Sequence, residues 1–315
     1  MPRPGIRFFV MILKKELFSV KQPIFTGSGV AIVTPFNHES VDLNVLRKML
    51  DFQLENGTSA IIVCGTTGEA STMTYRERMR TIECCVEHIS GRIPVIAGSG
   101  SNSTEVAIAL SKDAERAGAD GLLVVTPYYN KASQTGLVRH YQVIADAVNS
   151  PVILYNVPSR TGLNISPECY AELAKHPNII GTKEASGNFG NIQKTRNLCP
   201  DDFYIWSGND DEVVPISALG GMGVISVVAN IAPAKMAQLT RLCLENNFKT
   251  AGNLQLKLKE LCDAMFCEVN PIPVKTALNL MGWNAGSLRL PLYEPSENNL
   301  ERIRNTLAEY GLLSQ

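Results

Sequence analysis

The sequence predicts an α/β chain folded as a (β/α)8 TIM barrel with a C-terminal helical extension. Two observations carry this: eight short, continuous apolar runs recur along the chain with amphipathic runs between them, and beyond about residue 250 the texture becomes wholly helical. The strand-like runs are 29–34, 60–64, 94–98, 121–126, 151–156, 179–183, 203–207 and 223–228. They are rich in Val and Ile and do not alternate with polar residues, which is the pattern of strands covered on both faces in a parallel sheet.

The intervening helices announce their ends. Thr74 and Glu77 have the spacing of a capping box, in which a hydroxyl and a carboxylate satisfy orphan amides at a helix start. Ser166 precedes Pro167, a capping hydroxyl before a residue suited to the first helical turn. Gly57 and Gly118 fall where helices should stop. Between 103 and 117, Val106, Leu110, Ala114 and Ala117 make one apolar stripe. Three further helices are expected at 249–267, 272–281 and 298–311. The resulting division is an appendage over 1–22, the barrel over 23–248 and a helical region over 249–315 packed on it. A doubly wound sheet is the alternative, but the dinucleotide glycine fingerprint is missing after the first strand.

Composition narrows the function. The 315 residues are 45% hydrophobic and 19% charged, with a formal net charge of −1, so neither a nucleic acid nor an anionic membrane surface is an expected partner. The eight cysteines form no CxxC pair, and reduced thiols in a cytoplasmic protein fit them best. A zinc site is conceivable from Cys84, Cys85 and His88 on one helix, but they read instead as small, partly buried helix residues. No metal and no diffusible cofactor are expected. Residues 8–13 are apolar, too few for a signal peptide core or a membrane span. The first 22 residues read as an appendage, with Met11 a candidate alternative start.

In a barrel the chemistry sits at the C-terminal ends of the strands, so reactive residues at those ends are the candidates. Gly65-Thr66-Thr67-Gly68-Glu69 after the second strand is a turn whose amides and hydroxyls suit a carboxylate. Tyr128 and Tyr129 follow the fourth strand; they serve equally as surface packing. Tyr155 ends the fifth strand and Arg160 lies in the loop beyond, a phenol able to move protons and a guanidinium able to grip a carboxylate. Lys183 is the most informative residue. A lysine ending an apolar strand is costly to place, and the same burial frees its amine to attack a carbonyl. A salt bridge with Glu184 would be the plain structural explanation, but successive strand residues point to opposite faces. Gly208 and the stretch 223–226, which includes Ile225, end the last two strands; glycine leaves room for a ligand there, and simple turn chemistry explains it as well.

The strings GSGVAIVTPF, GTTGEA, VTPYYNK, YNVPSRTG, GTKEASGN, WSGND and NPIPVK, in this order, resemble the dihydrodipicolinate synthase family, within the superfamily of pyruvate-dependent aldolases that includes N-acetylneuraminate lyase. The resemblance spans roughly residues 25–312. It implies a class I aldolase-type lyase of diaminopimelate and lysine biosynthesis that joins pyruvate to aspartate 4-semialdehyde. Lys183 would form an imine with pyruvate, Tyr155 would act as acid and base, and Thr66 would link Tyr155 to Tyr129 in a hydroxyl relay. Tyr129 would reach in from a neighbouring subunit, so at least a homodimer is implied, and a homotetramer built as a dimer of dimers is expected. The Thr66 and Thr67 amides would hold the pyruvate carboxylate, Arg160 the carboxylate of the second substrate, and Gly208 and Ile225 would line the pyruvate pocket.

Some members of that family are inhibited by lysine through a glutamate and histidines at positions where this chain has Tyr75, Arg78 and Val106, so inhibition is expected to be weak or absent. Two other functions stay open. One is an aldolase or dehydratase acting on a sialic acid or keto-deoxy sugar acid, against which Arg160 and the Thr66-Thr67 pair argue. The other is a barrel that only binds a ligand, against which the survival of Lys183, Tyr155, Thr66 and Tyr129 argues.

Overall fold

A computed structural model describes residues 20–37 and 40–313. The expected appendage thus lies outside the described residues up to residue 19. Eight parallel strands close into a barrel in chain order: β1 (Gly27–Ala31), β2 (Ala60–Val63), β3 (Val95–Gly98), β4 (Gly121–Val125), β5 (Val152–Asn156), β6 (Ile179–Glu184), β7 (Tyr204–Ser207) and β8 (Gly223–Ser226). β8 pairs back on β1 through Gly29 and Ile225, so no edge is left to template association.

Alternation within the strands separates two cores. Ile62, Ile96, Leu123, Ile153, Trp206 and Ile225 fill the barrel interior, with Phe25 stacked on Trp206 at 5.3 Å. The larger core lies between the strands and the surrounding helices and contains Val30, Val63, Val124, Leu154 and Val224. Each fully buried Leu or Ile contributes about 1.5–3 kcal/mol.

The helices on the barrel are α1 (Leu43–Glu55), α2 (Tyr75–Ile89), α3 (Thr104–Arg116), α4 (Gln134–Asp146), the short α5 (Pro158–Thr161), α6 (Pro167–Leu173), α7 (Phe189–Leu198), α8 (Val213–Ala218) and α9 (Pro233–Leu244). The Thr74–Glu77 capping box is formed, and Ser166 accepts from the Cys169 amide at the start of α6. Gly57 and Gly118 have φ of +80° and +89°, just past α1 and α3.

Three expectations need correction. The buried stripe of α3 is Ala107, Leu110, Ser111 and Ala114, and Val106 is exposed. The cause is Ser111, whose hydroxyl donates to Ser99 Oγ at 2.9 Å in the interior, so a polar residue takes an inward position that an apolar reading skips. The helix expected over 249–267 is two helices, α10 (Phe248–Lys257) and α11 (Lys259–Ala264). They meet at Leu258, whose amide is shared between the carbonyls of Leu254 and Gln255. Gln255 is buried against the segment that follows β7, donating to the Asp210 carbonyl and accepting from the Val214 amide. Finally, packing against the barrel begins before residue 23. The Lys21 ammonium donates to the carbonyls of Ala174 and Ile179, and the Tyr204 hydroxyl donates to the Lys21 carbonyl at 2.6 Å. The last two helices are α12 (Ile272–Leu280) and α13 (Glu297–Glu309).

Candidate active site

Tyr155 and Lys183 are registered partners on β5 and β6, and Lys183 is registered with Trp206 on β7. Because Trp206 and Tyr155 belong to the interior core, the three form one inward-facing row near the C-terminal ends of their strands. Lys183 is 5% exposed, with Nζ 4.4 Å from the centre of the Tyr155 ring. Among the described residues it makes no hydrogen bond or ion pair. Glu184 faces the other way. It accepts from Tyr170 at 2.8 Å, from the Ser186 amide at 2.9 Å and from Asn156 at 3.1 Å. Burial pushes the Glu184 carboxyl above its ordinary pKa, and these bonds oppose the rise. The alternation rule therefore separates the two neighbours, and Glu184 does not neutralise the lysine.

Space for the Lys183 chain comes from Gly208. A Cβ there would stand 3.1 Å from Lys183 Cε and 2.7 Å from the Ala185 Cβ. Asp210, two residues on, is buried and accepts from the amides of Val227 and Val228. Burial raises its pKa, its bonds oppose this, and the charge of Lys183 acts in the same downward direction.

The turn after β2 is held by Glu69 N–H donating to the Thr66 carbonyl and by the Thr34 hydroxyl donating to the Gly68 carbonyl at 2.7 Å. Among the described residues, the amides of Thr66 and Thr67 donate to no protein acceptor. Two adjacent free N–H groups make a site for an anion without a formal positive charge. Thr67 is buried, and its hydroxyl oxygen accepts from Asn270 Nδ2 at 3.0 Å.

A cavity of about 280 Å³ opens over this rim, lined by Thr66, Tyr128, Tyr155, Val157, Arg160 and Arg78 among others. Arg160 lies on α5 and donates to the Asn270 carbonyl at 2.9 Å. The cavity thus joins Thr66, Tyr155 and Arg160. Lys183, Gly208 and Ile225 are not among its lining residues; Ile225 is fully buried in the barrel interior, and Gly208 stands against the Lys183 chain. Tyr129 is not brought to this cavity by its own chain. Its φ of +70° turns it outward, and it is 92% exposed.

Two groups escaped the sequence reading. Asn270 bridges Thr67 and Arg160, and Lys275 forms an ion pair with Glu69 at 2.7 Å. Both lie in the NPIPVK string, which was the one available signal. The cysteines behave as packing residues: Cys84 and Cys85 are buried, and His88 Nε2 is 2.7 Å from Asp51.

The fold and this rim define a (β/α)8-barrel enzyme with its chemistry at the C-terminal ends of the strands. Comparison with known proteins specifies which. The model of the Dihydrodipicolinate synthetase family matches residues 24–310. The chain is 54% identical over 294 residues to a 4-hydroxy-tetrahydrodipicolinate synthase of Thermoanaerobacter sp. (strain X514), covering 93% of this chain and 99% of the relative. It is 51% identical over 292 residues to the enzyme of the same name from Clostridium novyi (strain NT), covering 93% and 99%. A dihydrodipicolinate synthase structure from Thermotoga maritima superposes with a TM-score of 0.91 at 46% identity, covering 92% of this chain and all of the other. The chain belongs to the dihydrodipicolinate synthetase family.

Proposed function

We propose that this chain condenses pyruvate with L-aspartate 4-semialdehyde to give 4-hydroxy-tetrahydrodipicolinate, on the diaminopimelate route to lysine. The observation that carries the reading is Lys183: among the described residues a buried amine without a carboxylate partner, beside Tyr155, which lines a cavity together with Arg160 and Thr66. A lysine so placed is suited to carbonyl addition, not to a structural ion pair.

The Lys183 amine adds to the pyruvate carbonyl and water leaves, giving a protonated imine. The imine withdraws electrons, so the methyl group gives up a proton and an enamine forms. Its carbon attacks the aldehyde of the second substrate. The amino group of that substrate then attacks the imine carbon, closes the ring and releases the Lys183 amine. The free amides of Thr66 and Thr67 suit the pyruvate carboxylate, and Arg160 suits the carboxylate of the semialdehyde. Tyr155 carries protons to and from the imine, with Thr66 passing them on to a Tyr129 supplied by a second copy of the chain. The covalent imine takes the place of a cofactor. The active form is then at least a dimer, and a tetramer is the expected assembly. Among the described residues no helix is long and apolar enough to cross a membrane.

The test is intact-protein mass after borohydride reduction in the presence of pyruvate. One adduct per chain, mapped to Lys183 and consumed when aspartate semialdehyde is added before reduction, supports the reading. An adduct that the semialdehyde leaves untouched points to a sugar-acid aldolase, and the absence of any adduct sinks the Schiff-base mechanism. Lys183→Ala should lower turnover by several orders of magnitude.

A further inference from the structure

The turn that carries Thr66 and Thr67 is fastened from outside the barrel. Glu69, its last residue, has a φ of +52°, a backbone conformation unfavourable for a side chain with a Cβ. Something must hold it there, and both of its carboxylate oxygens are taken. Oε1 accepts from Lys275 Nζ at 2.7 Å, and Oε2 accepts from the Arg289 amide at 3.0 Å. The side chains of Lys275 and Glu69 are 1% and 0% exposed. The Lys275 ammonium also lies 4.1 Å from the centre of the Phe36 ring, so it is confined from a second side. On the other flank of Gly68, Thr67 is tied to Asn270. All of these partners are more than 200 residues away in the chain.

Stability is a poor explanation of a fully buried ion pair. Desolvation of two charges offsets most of their attraction, and a matched apolar pair often does as well. What such a pair supplies that an apolar one does not is a fixed direction, here at a strained residue three positions from Thr66. We propose that the Lys275–Glu69 ion pair is a positioning device that sets the Thr66 and Thr67 amides for the pyruvate carboxylate. The inference rests on the reading above that these amides bind that carboxylate.

The experiment uses the full-length protein and compares wild type with Lys275→Met, Glu69→Asp and the double variant Glu69→Gln/Lys275→Met. The double variant removes both charges and so leaves no lone buried ion. Three quantities are read: thermal midpoint, KM for each substrate, and the pyruvate concentration giving half-maximal borohydride adduct on Lys183. The expected result for the double variant is a rise of about tenfold or more in both the pyruvate KM and the half-adduct concentration. The KM for aspartate semialdehyde should stay within about twofold, with most of kcat recovered at saturating pyruvate. Glu69→Asp, which keeps the charge and shortens its reach, should fall between. Unchanged pyruvate requirements in the folded variants, whatever their melting points, would overturn the proposal. Failure of the wild type to form any adduct would instead strike the Schiff-base reading itself.

Discussion

Tyr155 and Lys183 are direct neighbours across the β5–β6 ladder, with the Lys183 ammonium 4.4 Å from the centre of the phenol ring. The ring therefore does two things. Its face lies against the lysine amine, and its phenol supplies a hydroxyl at a residue that lines the cavity. Tyr155→Phe keeps the first and deletes the second. We expect the pyruvate adduct to form still, while turnover falls about 10²- to 10⁴-fold, the usual worth of a positioned acid–base group. Steady-state kinetics beside the reduction assay decides it; equal loss of both signals would mean that the ring, not the hydroxyl, matters.

Gly208→Ala is a test of space. The added methyl would stand 2.7 Å from the Ala185 Cβ and 3.1 Å from Lys183 Cε. Since the neighbours are the Ala185 Cβ, the Glu184 carbonyl and the Lys183 chain, we expect a folded variant destabilised by about 1–3 kcal/mol whose adduct forms at least about tenfold more slowly, measured by time-resolved quenching with borohydride. Wild-type trapping rates would show that the lysine chain has slack.

Tyr129 faces solvent in the single chain, so its contribution depends on association. Tyr129→Phe should impair turnover and leave the melting temperature within a degree or so, because its side chain packs on nothing in its own subunit. Activity of the wild type should also fall on dilution below the dimer dissociation constant. Turnover that is independent of both the substitution and the concentration removes Tyr129 from the site.

Lysine should inhibit weakly or not at all. Arg78 and Tyr128 line one cavity whose lining side chains include no carboxylate to meet an ammonium group, and Arg78 would repel one. Steady-state assays with millimolar lysine give the answer, and strong inhibition would contradict the charge argument.

The pH dependence of stability should carry the mark of His140. It is 7% exposed, and burial lowers its pKa to about 4. Above about pH 6.5 the imidazole is neutral in both states. As the pH falls from there toward 4, the unfolded chain takes up a proton that the folded chain refuses. Stability is thus lost across that window, by on the order of 3 kcal/mol from this group, and the slope ends once both states are protonated. His140→Gln should flatten urea-derived stability between pH 6.5 and 4. A slope unchanged by the substitution would assign it to other groups.

Much of this molecule could be read locally. The eight strands follow from runs of Val and Ile long enough for a buried strand and too short for a helix. The helix starts at Thr74 and Ser166 follow from hydroxyls that bond the amides three residues on. Lys183 was legible because a lysine in an apolar strand breaks a rule that costs energy to break, and its separation from Glu184 followed from the period of a strand. These signals all lie within a few residues of the group they concern.

Tertiary structure alone decided the rest. Arg160 meets Asn270 across 110 residues and Glu69 meets Lys275 across 206; no local pattern encodes a contact that exists only once the barrel closes and the C-terminal helices pack on it. The inward turn of Ser111 on α3 likewise depended on Ser99 arriving from the end of β3. The outward direction of Tyr129 depended on one left-handed backbone angle in its loop. The sequence by itself determined the barrel and the lysine placed inside it, because alternation and burial cost are local properties. The fastening of the Thr66-Thr67 turn was decided by the folded chain, because it depends on which distant side chains the closed barrel brings within hydrogen-bond distance.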